Sequence, residues 1–80
     1  MNREEIIEKV ISALSEEFDV APEVITPDAI IYDTLQLDSL SAVEMLSVLK
    51  YTFGVRIPMS DLPGIKTFDS LYDYIEERQR

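Results

Sequence analysis

The apolar residues of this chain recur at the three- and four-residue intervals that place side chains on one face of an α-helix. In the first segment they fall within an arc of about 140° when each residue is rotated by about 100° from the last. These residues are Ile6, Ile7, Val10, Ile11, Leu14 and Phe18. Asn2 followed three residues later by Glu5 matches a capping box, so we expect a first helix that begins near Arg3 and buries this face.

A second helix is predicted to begin at Asp38, a favoured N-cap residue, and to end before Gly54, which suits the left-handed position after a helix. One side of its helical wheel is apolar and is predicted to face the core: Ala42, Val43, Met45, Leu46, Leu49 and Phe53. The opposite side holds Leu40, Glu44, Ser47, Val48 and Tyr51. A line of exposed apolar residues on that side indicates a docking surface.

The remaining segments are less regular. Residues 19–38 contain two prolines and are predicted to form a long loop held by apolar anchors. Residues 59–66 have room for a short helix broken at Pro63, and Thr67 is predicted to cap a last helix. That helix would bury Phe68, Leu71, Tyr72 and Ile75. We therefore predict an all-α fold in one domain, 1–80, a small four-helix bundle of three main helices plus one short helix.

The charge balance limits the partners. The chain has sixteen acidic and seven basic residues, a net charge of −9, and carries no Lys or Arg between Lys9 and Lys50. Such a surface repels nucleic acid and anionic membranes and favours partners with basic patches. We expect no nucleic-acid binding and no membrane insertion.

The composition also argues against self-contained catalysis. The sequence has no cysteine and no histidine, which removes thiolate nucleophiles, the usual zinc ligands and the commonest general base. It has no apolar run long enough to span a bilayer, and its first residues are mostly polar. These features predict a cytoplasmic, monomeric protein that is not an enzyme and has no metal site.

One tripeptide lies at a predicted helix start, a position that favours an anionic modification. Asp38-Ser39-Leu40 lies at the start of the second predicted helix, where unpaired backbone N–H groups would favour an anionic group on Ser39. The plainer interpretation is that Asp38 only caps the helix and Ser39 occupies its first turn. From the tripeptide alone both interpretations stay open.

Over nearly its whole length the chain resembles the acyl carrier proteins. The matching segments are Asp38-Ser39-Leu40, Val43-Glu44, Leu49, Phe53-Gly54, Ile57-Pro58, Thr67 and Asp73-Tyr74-Ile75. The resemblance implies that a phosphopantetheinyl transferase attaches 4′-phosphopantetheine from coenzyme A to Ser39. The terminal thiol of that arm would then carry an acyl cargo as a thioester.

The resemblance also implies roles for neighbouring residues. Asp38 would assist the metal-dependent transfer, with the base that activates Ser39 supplied by the transferase because the chain has no histidine. Leu40 and Glu44 would contact the acyl-loading and acyl-processing enzymes, through an apolar pocket and a basic side chain. We add their neighbours on the same face, which are Ser47, Val48 and Tyr51.

Departures from the family pattern limit what the resemblance implies. Gln36 stands where a glycine is usual, which leaves the turn before Asp38 open. Ser41, Lys50, Tyr51, Thr52, Met59 and Pro63 stand at positions where acidic residues are common. A less acidic docking surface favours a specialised fatty-acid, lipid or polyketide-type pathway over housekeeping fatty-acid synthesis.

Two alternative functions remain at this stage. One is an aminoacyl carrier of the D-alanyl type. The other is an acidic helical adaptor without a prosthetic group, whose exposed Leu40, Val48 and Tyr51 bind a basic partner.

Overall fold

Helices connected by short irregular segments make up residues 1–79, the part of the chain that the computed structural model describes. The α-helices are α1 (Arg3–Phe18), α2 (Ile31–Leu35), α3 (Ser39–Phe53) and α4 (Phe68–Arg78). Two 3₁₀ helices span Pro22–Val24 and Met59–Gly64. Within residues 1–79 no helix is both long enough and apolar enough to cross a bilayer. The all-α prediction is confirmed.

The helices α1 and α4 begin where the sequence predicts, because their N-cap residues form the expected hydrogen bonds. At α1 the Glu5 N–H donates to Asn2 Oδ1 over 2.9 Å, and the Asn2 N–H donates to Glu5 Oε1 over 3.4 Å. At α4 the Ser70 N–H donates to Thr67 Oγ1 over 3.2 Å. Each bond satisfies an amide that a helix leaves unpaired in its first turn, which stabilises the helix start.

The core lies where α1 packs against both α3 and α4. All four residues of the predicted α4 face are buried, which confirms that prediction. On α1 the buried residues are Ile6, Val10 and Leu14, whereas Ile7, Ile11 and Phe18 are partly buried at the edge of the core. Within residues 1–79 the buried residues are apolar apart from Tyr72, whose hydroxyl is buried without a hydrogen-bond partner.

The predicted core face of α3 is correct except at Val43, which is 47% exposed. At about 100° of rotation per residue, Val43 lies roughly 100° from the centre of the buried stripe. Val48 lies about as far away on the other side but is half-buried, because it packs against the core. An apolar residue at the edge of a helical stripe is therefore buried only where a neighbouring element covers it.

The structure corrects the prediction of a loop over residues 19–38. Residues 19–38 were expected to be a loop, but they contain α2, which buries Ile31 and Leu35. The expected short helix at 59–66 is a 3₁₀ helix that includes Pro63, so this proline does not break it. A segment of five residues such as α2 is too short to show a helical period in the sequence.

The segment before α3 is anchored to the start of α4. The Ile31 N–H donates to the Lys66 carbonyl over 2.9 Å, and the Asp69 N–H donates to the Pro27 carbonyl over 2.8 Å. Ile25 is a buried anchor as expected, whereas Val24 and Ile30 are 47% and 42% exposed. Main-chain hydrogen bonds and buried side chains therefore both hold this segment in place.

An ion-pair cluster joins the first turn of α1 to α4. Arg3 lies 2.7 Å from Asp69, 2.8 Å from Asp73 and 3.2 Å from Glu76. All four side chains are partly exposed, so solvent weakens each pair. The cluster orients the two helices but stabilises the fold less than the apolar core does.

We predict that Gln36→Gly stabilises the protein. Gln36 ends α2 in the left-handed region at φ 53° and ψ 52°. That conformation costs a residue with a Cβ roughly 1–2 kcal/mol, while glycine loses about 0.5–1 kcal/mol in backbone entropy. The free energy of unfolding in urea should therefore rise by up to about 1 kcal/mol.

Asp19→Gly is the matched control for this prediction, because Asp19 ends α1 at the same φ of 53°. Aspartate adopts the left-handed conformation more readily than glutamine, so its replacement should raise stability less. A loss of stability in Gln36→Gly would show that the glutamine side chain, and not the backbone conformation, determines the stability of this turn.

Candidate functional site

Ser39 is the first residue of α3, and its position is fixed by the residues on either side of it. The Ser41 N–H donates to Asp38 Oδ1 over 2.9 Å, and the Asp38 N–H donates to Ser41 Oγ over 2.9 Å. This reciprocal capping box starts the helix at Ser39 and confirms Asp38 as the N-cap. Ser39 itself is exposed, so its hydroxyl is open to a partner enzyme.

The Asp38 carboxylate is held in its ionised form. The hydrogen bond from the Ser41 backbone N–H is the main cause that lowers the pKa of Asp38, and the Ser41 hydroxyl lowers it further. At neutral pH the site therefore has the exposed Ser39 hydroxyl next to the ionised Asp38 carboxylate. Oδ1 of that carboxylate already accepts the hydrogen bond of the cap. Ser41 stands where an acidic residue is common in the family, and here it completes the cap.

The start of α3 suits an anionic substituent on Ser39. The first amides of a helix have no carbonyl partner within it, and they lie at the positive end of the helix dipole. A phosphodiester formed on the Ser39 oxygen would lie beside these N–H groups. An exposed hydroxyl at such a position fits a bulky phosphate-linked group without displacing any buried residue.

Four of the five predicted docking residues lie together with residues of α1. Leu40 and Tyr51 are 79% and 93% exposed, and Glu44 and Ser47 are exposed beside the half-buried Val48. A groove of about 590 Å³ between α1 and α3 brings together Ala13, Glu16, Glu17, Glu44, Ser47, Val48 and Tyr51. We call it the acidic groove. Leu40 does not line it.

Sequence reasoning missed the α1 side of this groove. The docking face was considered on its own helix, where Glu44 is the only acidic residue that lines the groove. Glu16 and Glu17 belong to a different helix, and only the packing of α1 on α3 brings them near Glu44. The surface around the docking residues is therefore more acidic than the second predicted helix alone indicates.

A second, smaller cavity lies on the other side of Ser47. It measures about 320 Å³ and is lined by Val43, Leu46, Ser47, Lys50, Arg56 and Ile57. We call it the cationic pocket. Arg56 follows the end of α3 by three residues and was not identified from the sequence, because its contribution depends on how the chain turns after Gly54.

Comparison with known proteins places this sequence in a family. Residues 8–75 match the family model described as "Phosphopantetheine attachment site". The chain belongs to the acyl carrier protein family. The matched span includes all of α3, with Ser39 at its start.

Relatives named as acyl carrier proteins match over almost the whole chain. The acyl carrier protein of Thermosynechococcus vestitus is 36% identical over 78 residues, which are 98% of this chain and 96% of that protein. The one from Rubrobacter xylanophilus is 34% identical over 79 residues, 99% of this chain and 98% of that protein. The "Meromycolate extension acyl carrier protein" of Mycobacterium tuberculosis is 35% identical, over 96% of this chain and 67% of that protein.

Family membership bears on the functions left open by the sequence. The cofactor of the matched domain is phosphopantetheine, and acyl carrier proteins are carriers rather than catalysts. The comparisons therefore do not favour an adaptor without a prosthetic group or an aminoacyl carrier. The name of the Mycobacterium tuberculosis relative specifies meromycolate extension, whereas the other two names specify no pathway, so the cargo is a separate question.

We predict that Asp38→Ala lowers the melting temperature at pH 7 and that the difference from wild type shrinks in acid. The folded-state pKa of Asp38 is lowered, so its stabilising effect is present above the unfolded pKa of about 4. The effect is lost as the pH falls through the folded pKa. Melting curves between pH 7 and about pH 2.5 measure it.

Asp38→Asn is the control for this prediction, because asparagine is as good an N-cap as aspartate but carries no charge. Its own contribution to stability should not change with pH, so its melting temperature relative to that of wild type should rise as the pH falls below about 4. A gap between Asp38→Ala and wild type that is the same at all pH values would mean that the ionised carboxylate does not stabilise the cap.

Proposed function

We propose that this protein carries acyl intermediates as thioesters on a 4′-phosphopantetheine arm attached to Ser39. The observation that carries the proposal is the exposed Ser39 hydroxyl at the first position of α3, inside the span that matches the phosphopantetheine attachment family. The chain would act as one domain and as a monomer. When attached, the arm supplies a terminal thiol that forms the thioester.

In the attachment step Ser39 is the acceptor. Its Oγ forms a new bond to the phosphorus atom next to the pantetheine half of coenzyme A, and the phosphoanhydride bond breaks. Adenosine 3′,5′-bisphosphate leaves, and the Ser39 proton passes to a base. Because the chain contains no histidine, that base belongs to the phosphopantetheinyl transferase.

Asp38 has two compatible roles in this proposal. Its Oδ1 holds the helix start through Ser41, which fixes the direction of the Ser39 side chain. Its carboxylate stays ionised and exposed, so it can also assist the metal ion of the transferase complex. The attached phosphodiester would be stabilised by the first amides of α3.

The acidic groove supports recognition by enzymes with basic docking patches. Glu16, Glu17 and Glu44 line it beside the apolar surfaces of Val48 and Tyr51. A basic patch on a transferase or an acyl-processing enzyme complements this arrangement, and such charges mainly raise the association rate. Because coenzyme A, the donor of the arm, is an intracellular cofactor, we place the protein in the cytoplasm.

We further propose that the pathway is a specialised one. Lys50 and Tyr51 occupy the last turns of α3, at positions where acidic residues are common in the family. A cation at this end of the docking helix repels a basic patch that is built for a fully acidic partner. Dedicated enzymes of a fatty-acid, lipid or polyketide-type pathway would tolerate it.

We predict that the purified protein gains one phosphopantetheinyl unit when incubated with coenzyme A, magnesium and a broad-specificity phosphopantetheinyl transferase. Intact-mass spectrometry measures the gain. Ser39→Ala should gain none, and Ser47→Ala, which alters an exposed serine two turns further along α3, should be modified like wild type. An unmodified wild type, or a label on another serine, would overturn the proposal.

We predict that ketosynthases of housekeeping fatty-acid synthesis use the acylated protein poorly, with kcat/KM at least about 10-fold below that for their own carrier. Lys50→Glu should recover part of this difference. Lys66→Glu changes the net charge equally but lies outside α3, so it should recover little. Wild-type turnover equal to that of the housekeeping carrier at ordinary salt would contradict a dedicated pathway.

A further inference from the structure

The cationic pocket lies on the same side of α3 as Ser39. At about 100° per residue, Val43, Leu46 and Lys50 are rotated from Ser39 by only about 40°, −20° and 20°. Glu44 and Val48 of the acidic groove are rotated by about 140° and 180°. The two cavities therefore open on different sides of the helix, and only the cationic pocket faces the side that carries the attachment oxygen.

The pocket also begins close to that oxygen along the helix axis. At 1.5 Å per residue, Val43 lies about 6 Å and Lys50 about 16 Å beyond Ser39. A cargo on a flexible tether at Ser39 can bend back along α3 and meet Val43 first and Lys50 last. The order of side chains along this path is apolar near the attachment point and cationic at the far end.

The floor of the cationic pocket is apolar, whereas its rim is positively charged. Leu46 and Ile57 are 9% and 5% exposed, and Val43 adds a half-exposed apolar wall. Lys50 and Arg56 are exposed at the rim. All ion pairs found within residues 1–79 involve Arg3, so neither rim cation is paired with a carboxylate there.

The two cations differ in their relation to α3. Lys50 lies in its last turn, where a positive charge stabilises the negative end of the helix dipole. Arg56 lies two residues beyond the C-cap Gly54, outside the helix. In a chain with a net charge of −9, two neighbouring unpaired cations beside an apolar cavity complement an anionic ligand.

We propose that the cationic pocket binds the distal part of the carried acyl chain and selects cargo that bears a carboxylate at its far end. This rests on the proposed attachment at Ser39. Leu46 and Ile57 contact the methylene groups, and Lys50 and Arg56 pair with the terminal carboxylate. A cavity of about 320 Å³ holds a chain of medium length. The substrate class is therefore an acyl group derived from a dicarboxylic acid.

The test compares two cargoes of equal length. The protein is loaded at Ser39 by a phosphopantetheinyl transferase from octanoyl-CoA or from suberoyl-CoA, which differs only in its terminal carboxylate. Methyl and amide NMR spectra of the two loaded forms are compared. The suberoyl form should shift the signals of Val43, Leu46 and Ile57 and the side-chain N–H signal of Arg56, beyond the shifts seen with octanoyl. These additional shifts should diminish as salt is raised from 0.05 to about 0.5 M, because salt screens exposed charges.

The control is a pair of double variants with the same change in net charge. In Lys50→Gln/Arg56→Gln the suberoyl and octanoyl spectra should become alike at the pocket residues. In Lys9→Gln/Lys66→Gln, which removes two exposed cations outside the pocket, the suberoyl-specific shifts should remain.

The outcomes separate this inference from the proposed function. If the mass shows no loading at Ser39 from either donor, the attachment proposal fails. If both cargoes load but suberoyl gives the same pocket shifts as octanoyl, the cargo inference is wrong. Suberoyl-specific shifts that persist in Lys50→Gln/Arg56→Gln would likewise overturn it.

Discussion

The functional surface of this protein depends on where α3 begins. Asp38 and Ser41 exchange hydrogen bonds and thereby fix the first turn of the helix. A start shifted by one residue towards the C-terminus would leave Ser39 outside the first turn of the helix. The direction in which α3 packs is set by its apolar stripe, because the buried residues must face the core. The cap and the stripe together therefore fix where Ser39 lies.

Neighbouring segments add residues to both sides of α3. The α1 helix contacts both α3 and α4, and its first turn is tied to α4 through Arg3. Its last turns bring Glu16 and Glu17 beside α3 to complete the acidic groove. On the opposite flank, the chain that leaves α3 at Gly54 returns to place Arg56 and Ile57 beside it. The charge that a partner meets is thus determined by neighbouring elements as much as by α3.

The sequence predicts those features that depend on local chemistry. The starts of α1, α3 and α4 follow from Asn2, Asp38 and Thr67, because a cap acts within three residues of itself. The buried face of α4 follows from helical periodicity, and the candidate Ser39 follows from the tripeptide and the family resemblance. Predictions that depend on contacts between elements were wrong, or the feature was missed.

Val43 was assigned to the core because it is apolar and near the buried stripe, but no element covers it, and it lines the cationic pocket instead. The α2 helix was missed because five residues carry no detectable period. The same limitation applies to both cavities, since each is bounded by residues of two segments. The acidic groove and the cationic pocket lie on either side of Ser47 and carry opposite charges, so they suit ligands of opposite charge. In the two proposals, enzymes bind the acidic side and the cargo rests on the cationic side, and Lys50 links them because it meets the cargo and also repels partners with strongly basic patches.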